Sequence, residues 1–456
     1  MLIKRILLSS DPAIEGSTMT ISTPEDEKNT ILNKRLVINN NIDTIIISGT
    51  VETITSQEAY RLVKKFEVKA EKVETLPDYA FYNSLFIETF IPGNIKTIGQ
   101  SAFLSSTLSS INFDKIEVIN QYAFDNCYNL PKDIELTAIK ELGAYTFSNS
   151  NIESIHVAGG TEISNYFAYN CYQPSKVTIS STITTIGDYA FCQCRKLTSF
   201  DFTSITEIKQ FAFYNSGLEQ VEFNAIATIH NSAFSNSNIK SISFKEQETG
   251  TINIELYSFA SCYQLTDLKL PKNAKITYFS FDSCISLKTV TATLDVVAGF
   301  SNCSSLESFT NNYKQTDPSQ FRCSILQCAF YKCSKLKSIN LAEVGYVDDY
   351  AFAFCTSLES IGDYSFSSVG RMGFAYCKSL VIDKLTSVST IGELSFTYCT
   401  SIKTMTITGT RNINKYAFAG CTNLETLFIN VTETTTINYP DLLYFYHSPC
   451  NFWGKR

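Results

Sequence analysis

The chain has 456 residues, of which 44% are hydrophobic and 18% are charged. This balance excludes general disorder, because it supplies enough apolar surface for a long core. The formal net charge is −7 and no run of Lys and Arg is longer than two residues, so nucleic acid is not expected among the partners.

Residues 1–41 precede the first regular pattern. Lys4 and Arg5 interrupt the apolar residues near the start, and the following run, 6–8, is shorter than the core of a secretory signal. We therefore expect no signal peptide. The polar stretch 22–29 predicts a disordered tail, and we interpret 1–41 as this tail plus an N-terminal cap. No stretch of the chain approaches the roughly 18 apolar residues of a membrane helix, so no integral membrane segment is predicted.

A repeat of about 22 residues occupies positions 42–430, and a buried-type aromatic residue recurs at its centre. From Phe330 onward its spacing is 22 every time. Tyr60 takes the place of the first phenylalanine, and Ala168 falls on the register with Phe167 before it. The other anchor positions are Phe81, Phe103, Phe124, Phe147, Phe191, Phe213, Phe234, Phe259, Phe281, Phe300, Phe330, Phe352, Phe374, Phe396 and Phe418.

Two positions beside the anchor are restricted to small residues. The residue before it is Ala, Ser, Gly or Thr except at the Phe167–Ala168 swap, which predicts close backbone approach. The residue three positions after it is Cys in eleven repeats and Ser in five. The cysteines are Cys127, Cys171, Cys194, Cys262, Cys284, Cys303, Cys333, Cys355, Cys377, Cys399 and Cys421, and the serines are Ser84, Ser106, Ser150, Ser216 and Ser237.

An alternating apolar and polar segment follows, as in 239–244, and predicts one short strand. A second apolar pair three residues apart, such as Ile183 and Ile186, precedes the next anchor. One repeat cannot bury its own apolar residues, whereas stacked repeats form a continuous core. The predicted fold is a repeat solenoid, a right-handed leucine-rich-repeat coil of about seventeen units with short parallel strands, mostly β and loop.

Two further segments interrupt or end the pattern. The anchor spacing stretches to 30 between Phe300 and Phe330, which predicts an insertion near 311–323. Insertions in solenoids form loops, often at a binding face. Residues 431–456 lose the repeat but keep apolar residues, so we interpret them as a C-terminal cap.

The segment Ile183 to Phe200 approaches the signature Ile-x-x-Ile-Gly-x-x-Ala-Phe-x-x-Cys-x-x-Leu-x-x-Ile. This signature resembles the leucine-rich repeats of the BspA-like surface-antigen family, over residues 42–430. The resemblance implies a right-handed solenoid at a cell surface or secreted, associated with adhesion to host or matrix proteins. It implies binding, and no reaction.

The cysteines and histidines favour no reaction either. Exchange between Cys and Ser indicates small buried packing residues, although a disulfide or redox role stays open. Cys323, Cys328 and Cys450 lie off the register and are the better candidates for reactive or paired thiols. His156, His230 and His447 are far apart in sequence, and no nucleotide-binding, metalloprotease or hydrolase motif is found. We predict no enzyme activity, no cofactor and no metal site; a scattered carboxylate pair remains a distant alternative.

The polar residue between the last two apolar positions of each predicted strand is expected to face outward. We predict this row as a binding face, as in other repeat proteins. Its members are Asn112, His156, Asp201, Glu222, Ser243, Lys269, Thr291, Asn340 and Thr406.

These observations predict a surface or secreted binding protein for a protein or glycan partner. The alternative is an intracellular scaffold for protein–protein interactions, favoured by the missing signal and the apparently free thiols. Oligomeric state and export route stay open.

Overall fold

The structure is a computed structural model that describes residues 12–55, 60–245, 250–313, 323–340, 344–362, 366–430, 436–437 and 451–454. At 30–32, 340, 436–437 and 451–454 it describes the backbone alone. The chain divides into two compact units, Met1–Leu218 and Glu219–Arg456, which are described separately below.

The first unit contains two helices and sixteen strands among its described residues. The helices are α1 (Pro24–Lys28) and α2 (Thr30–Asn39). The strands are β1 (Ala13–Glu15), β2 (Thr18–Ile21), β3 (Thr44–Ile47), β4 (Lys65–Val68), β5 (Thr75–Leu76), β6 (Thr89–Ile91), β7 (Thr97–Ile98), β8 (Ser110–Ile111), β9 (Val118–Ile119), β10 (Asp133–Leu136), β11 (Glu141–Leu142), β12 (Ser154–Val157), β13 (Glu162–Ile163), β14 (Lys176–Ile179), β15 (Thr185–Ile186) and β16 (Glu207–Ile208).

The described part of the second unit consists of strands and turns. Its strands are β17 (Gln220–Phe223), β18 (Thr228–Ile229), β19 (Ser241–Phe244), β20 (Ile252–Ile254), β21 (Asp267–Lys269), β22 (Ala274–Ile276), β23 (Thr289–Ala292), β24 (Val296–Val297), β25 (Ser308–Asn311), β26 (Cys323–Ile325), β27 (Ser338–Asn340), β28 (Val344–Val347), β29 (Ser368–Val369), β30 (Lys384–Thr386), β31 (Thr390–Ile391), β32 (Thr404–Thr408), β33 (Asn412–Ile413), β34 (Thr426–Asn430), β35 (Thr436–Ile437) and β36 (Asn451–Gly454).

The strands form two parallel ladders, because each turn of the coil contributes one strand to each. The first ladder contains the longer strands, in the orders β2-β3-β4-β6-β8, β10-β12-β14, β17-β19, β21-β23-β25-β27 and β30-β32-β34-β36. The second ladder contains the shorter strands, in the orders β5-β7-β9-β11, β13-β15-β16, β18-β20-β22 and β24-β26-β28-β29-β31-β33-β35. Over its described residues the chain makes about 18 turns, which confirms the predicted solenoid of about seventeen units.

The second ladder is absent from the sequence prediction, which assigned one strand to each repeat. The second apolar pair contributes it: Ile186 pairs in register with Ile163 and Ile208, while Ile183 lies before the strand. Most of these strands have only two or three residues, too few to show alternation in the sequence. Each of these short strands is stabilised by hydrogen bonds to the strands of the neighbouring turns.

The core between the ladders is a column of anchor rings, as predicted. In the first unit Phe81 stacks on Phe103 with ring centroids 5.1 Å apart, and in the second Phe352 stacks on Phe374 at 5.1 Å. At the swapped repeat the ring of Phe167 packs edge-on between Phe147 and Phe191. The column therefore continues there with a rotated ring.

The anchor corner forms a third set of hydrogen bonds between turns. The backbone N–H groups of Tyr350, Phe352 and Phe354 donate to the carbonyls of Arg371, Gly373 and Ala375 in the next turn. Tyr350 and Phe354 both have φ near +60°, and nearly every repeat shows this left-handed conformation two residues before and after its anchor. Asn tolerates positive φ better than most residues, which explains its frequent use two residues after the anchor, as at Asn149 and Asn170.

The Cys or Ser position is a buried donor as well as a packing site. Cys355 Sγ donates to the carbonyl of Phe330, the preceding anchor, over 3.0 Å, and Cys377 repeats this bond to Phe352 over 3.1 Å. Ser150 Oγ donates to the Phe124 carbonyl in the same way, over 3.2 Å. Both side chains are small and both carry a hydrogen to donate, which explains why the position accepts these two residue types.

The N-terminal region forms two strands and two helices before the first repeat. β1 pairs antiparallel with β2, and β2 then pairs parallel with β3 at the start of the first ladder. Thr23 caps α1 by accepting from the Asp26 N–H over 3.2 Å. The stretch 22–29, expected to be disordered, thus contains α1, since its capping residue and Pro24 at the first helical turn favour a helix. Residues 1–11 lie outside the described residues, and the limits of tail and cap stay a prediction.

The predicted insertion and the predicted C-terminal cap are only partly described. Asn311, the first residue of the predicted insertion, is buried; its side-chain amide donates to the Leu294 carbonyl over 2.8 Å and its oxygen accepts from the Leu294 N–H over 2.9 Å. Residues 314–322 lie outside the described residues. Within 431–456, β36 pairs parallel with β34, and 431–435, 438–450 and 455–456 are outside the description.

Candidate functional site

The outward face of the first ladder, here called the strand face, contains most of the predicted binding residues. In β12, Ile155 and Val157 are buried while Ser154 and His156 are partly exposed. This alternation follows from the pleat of a strand. Most strands of the ladder therefore present two outward positions, and the parallel register aligns them with those of the next turn.

Seven of the nine predicted residues lie on first-ladder strands. His156 lies opposite Glu135 and Thr178, Glu222 opposite Ser243, and Thr406 opposite Lys384 and Phe428. Lys269 lies opposite Thr291, which is followed across the sheet by Thr310 and the backbone of Asn340.

Asn112 and Asp201 are exposed but lie in turns and not on strands. The Asn112 side chain accepts from the Asp114 N–H over 2.7 Å, and the Asp201 side chain accepts from the Thr203 N–H over 2.9 Å. Short polar side chains make such bonds to the backbone two residues on in place of sheet pairing. The predicted row is therefore interrupted at these two positions.

The sequence prediction missed half of the strand face. It took one outward residue from each strand, whereas the residue two positions earlier points the same way. That second row includes Ser154, Lys176, Gln220, Ser241, Asp267, Thr289, Ser308, Thr404 and Thr426. The period of two was available in the sequence and could have identified it.

The strand face is rich in hydroxyl groups, with charged groups at intervals. His156 Nδ1 lies 2.8 Å from Thr178 Oγ1, and Thr289 Oγ1 donates to Asp267 Oδ1 over 2.5 Å. Hydrogen bonds from Thr289 and Thr266, aided by the charge of Lys288, lower the pKa of Asp267. The face thus offers donors, acceptors and both signs of charge, as polar recognition requires.

A cavity of about 590 Å³ opens on the strand face in the second unit. It lies at the carboxyl ends of β19, β21 and β23, and its lining includes Ser243, Lys269 and Thr291. Three of the nine predicted residues thus come together at one concave site. Its size falls in the range of pockets for small ligands.

A ladder of half-exposed aromatic rings follows the anchor corner of the first unit. Tyr122, Tyr145, Tyr166, Tyr189 and Phe211 stack in sequence, with centroids 4.2 to 4.8 Å apart. Burial and the neighbouring Tyr166 raise the pKa of Tyr145 to about 12. Because each ring face is covered by the next ring, only the edges reach solvent, and the ladder serves to brace the corner.

The cysteines are unsuited to thiolate chemistry. All fourteen that the structure describes are free thiols, and all but Cys328 are buried. Burial raises the pKa of Cys323 to about 12, and burial with nearby Asp348 and Asp349 raises the pKa of Cys328. Burial therefore disfavours the thiolate form at both positions; Cys450 lies outside the described residues.

The described histidines have ordinary partners. His230 Nδ1 lies 3.1 Å from Glu255 Oε2, His156 contacts Thr178, and His447 lies outside the described residues. Within the described part of the chain, no three His, Cys, Asp or Glu side chains are placed to hold a metal ion. None of the helices described there is long and apolar enough to cross a bilayer.

Comparison with solved structures finds other leucine-rich-repeat proteins at low identity. One is a leucine-rich repeat protein from Bacteroides ovatus, 20% identical, with a TM-score of 0.44 and coverage of 80% of this chain and 87% of the other. A leucine-rich cell surface protein from Faecalibacterium prausnitzii is 18% identical, with a TM-score of 0.34 and coverage of 78% and 86%. The pneumococcal vaccine antigen PcpA is 18% identical, with a TM-score of 0.39 and coverage of 70% and 79%.

The family comparison is more direct. No curated protein matches the sequence. The model described as BspA-type leucine-rich repeat region (6 copies) matches residues 59–173, 161–288, 228–328, 252–362 and 323–440. These overlapping matches cover well over half of the chain and contain most of both ladders and the anchor column. The chain belongs to the BspA-type leucine-rich-repeat family.

Proposed function

We propose that this protein is a non-enzymatic binding protein that engages a macromolecular partner through its strand face at a cell surface. Leucine-rich repeats typically bind proteins, and the structurally similar proteins named above include a cell surface protein and a vaccine antigen. The observation that carries the proposal is the register of the first ladder, which aligns two rows of polar side chains from turn to turn.

The geometry favours an extended partner over a small substrate. Outward residues in register repeat at the spacing of neighbouring strands, about 4.8 Å, so many weak contacts add along the face. Polar side chains on a rigid sheet recognise a partner with little loss of conformational freedom on binding. The partner is a protein or a glycan of a host or matrix surface.

Two measurements test this proposal. Intact cells are labelled with a membrane-impermeant amine reagent, and the chain is then recovered; labelling before permeabilisation supports the surface role. The purified chain is also screened against matrix proteins and glycans. Binding should weaken when Glu222, Thr404 and Thr406 are replaced together by Ala, whereas replacement of Thr182 and Lys196, which lie off the strand face, should leave it unchanged.

A second function is favoured by one observation. Fourteen described cysteines are free, and unpaired thiols are typical of proteins in reducing compartments. The alternative is therefore an intracellular scaffold using the same strand face for protein partners. Labelling only after permeabilisation would establish this alternative and overturn the surface role.

A further inference from the structure

The cavity at the ends of β19, β21 and β23 is lined by two lysines. Lys269 and Lys272 are exposed and line the cavity. Among the described residues, neither ammonium group forms an ion pair. The carboxylate of Asp267, two residues before Lys269, accepts a hydrogen bond from Thr289, and the positive charge of Lys288 helps to lower its pKa. A protein with net charge −7 thus presents a local site for an anion.

Apolar residues line the same cavity. The Phe244 ring lies 5.3 Å from the Phe223 ring, centroid to centroid, and is held there by this contact. Leu270 and Ala292 are buried, and Pro271 is half-buried. A rigid apolar surface of this kind packs against the C–H groups on the face of a sugar ring, since burial of apolar surface is favourable.

Hydroxyl and amide groups complete the lining. Ser243, Thr291 and Thr293 contribute hydroxyls and Asn312 an amide. In the described part of the chain these four side chains take part in no hydrogen bond. Hydroxyls and amides both donate and accept, so they match the hydroxyl groups around a saccharide ring.

We propose that this cavity binds an acidic saccharide, a sugar unit carrying a carboxylate or a sulfate within a longer glycan. The inference rests on the proposed binding function and names the ligand class for one part of the strand face. Lys269 and Lys272 hold the anionic group, Phe244 and Pro271 support the ring, and the hydroxyls of Ser243 and Thr291 contact its hydroxyl groups. An acidic peptide would satisfy the lysines but has no sugar ring to pack against Phe244 and Pro271.

The test is isothermal titration of the full chain with defined oligosaccharides. The probes are hexasaccharides of hyaluronan, which carries carboxylates, of chondroitin sulfate, which carries both anions, and of chitin, which is neutral, together with a poly-glutamate peptide. We expect both acidic probes to bind more tightly than the other two, with an affinity that falls as salt rises. Tighter binding of chondroitin sulfate than hyaluronan identifies sulfate as the preferred anion, and the reverse order identifies carboxylate.

The variant Lys269→Gln/Lys272→Gln should weaken binding of the acidic probe by roughly tenfold or more, because it removes charge-assisted hydrogen bonds. The matched control is Lys335→Gln/Lys378→Gln, which removes two exposed lysines that lie in turns, outside the cavity and off the strand face, and should leave the affinity unchanged. Circular dichroism checks that both variants remain folded.

Equal loss in both variants, preference for poly-glutamate, or no binding of either acidic probe would overturn the proposal. Binding of another partner that depends on Glu222, Thr404 and Thr406 but not on the cavity lysines would leave the general binding function standing. The two proposals can therefore fail separately.

Discussion

Each turn of the coil contributes one ring to the buried column, and that ring packs against the rings of the two neighbouring turns. Phe352 is fully buried and stacks on Phe330 and Phe374, with centroids 5.2 and 5.1 Å away. Loss of such a ring leaves a cavity that the parallel backbones cannot close, because every strand is held by two neighbours.

We predict that Phe352→Ala lowers the free energy of unfolding by about 3–5 kcal/mol, the usual cost of deleting a packed phenylalanine. Urea denaturation followed by circular dichroism measures it. The matched control is Phe428→Ala, since that ring is 37% exposed on the strand face. Comparable losses in the two variants would contradict the anchor role.

The cysteine three residues after the anchor stabilises the fold through a hydrogen bond as well as through packing. Cys355 is fully buried and donates to the Phe330 carbonyl. We predict that Cys355→Ser costs about 1 kcal/mol or less, because the donor is kept, and that Cys355→Ala costs more, because a buried carbonyl loses its donor. Denaturation of both variants beside Phe352→Ala checks the order. If the serine variant were as damaging as Phe352→Ala, the donor explanation would fail.

At the scale of elements, the short strands of the second ladder act as structural elements although most have only two or three residues. In β15, Ile186 is fully buried while the Thr185 side chain is partly exposed. Both residues pair in register with residues of β13 and β16. Because this pairing places Ile186 beside the buried Ile of each neighbouring strand, the ladder buries a row of Ile residues.

We therefore predict that Ile186→Ala lowers the free energy of unfolding by about 2–5 kcal/mol. Thr185→Ala, in the same strand, should stay within about 0.5 kcal/mol of the parent, as surface substitutions usually do. Chemical denaturation of the pair is the measurement, and a small effect at Ile186 would show that this ladder adds little to stability.

At the scale of the whole molecule, the buried thiols make stability depend on pH. Burial raises the pKa of Cys127 and Cys171 to about 12, from an ordinary value of 9.0, and it raises the pKa of Cys355, Cys377 and Cys399 in the same direction. Between pH 9 and pH 12 the unfolded chain releases these protons while the folded chain keeps them. The contribution to stability is present below pH 9 and is lost as pH rises.

We expect the urea midpoint to fall between about pH 8 and about pH 10.5, through this difference in bound protons. A variant with Cys355, Cys377 and Cys399 all replaced by Ser should show a smaller fall, since serine does not ionise in this range. An identical pH dependence in the parent and the variant would exclude the thiols as its source. Thiol alkylation at pH 8 supplies a second readout and should be slow until the chain unfolds.

The sequence by itself determined the repeat, its anchor and the solenoid. One position per turn is nearly always Phe because the rings share one column, and the Phe recurs every 22 residues from Phe330 onward. It also indicated one outward row, including Ser243, Lys269 and Thr291. The repeat can be recognised from the sequence alone, because every turn places the same type of side chain at the same position in the core.

Only the tertiary structure decided the second ladder, the hydrogen bonds of the anchor corner and the cavity. Two-residue strands such as β15 carry no periodicity, and the left-handed positions at Tyr350 and Phe354 are set by pairing with the next turn. Ser243, Lys269 and Thr291 meet at one cavity because three successive turns place them there. Such features depend on contacts between residues about 22 or more positions apart, which parallel stacking creates.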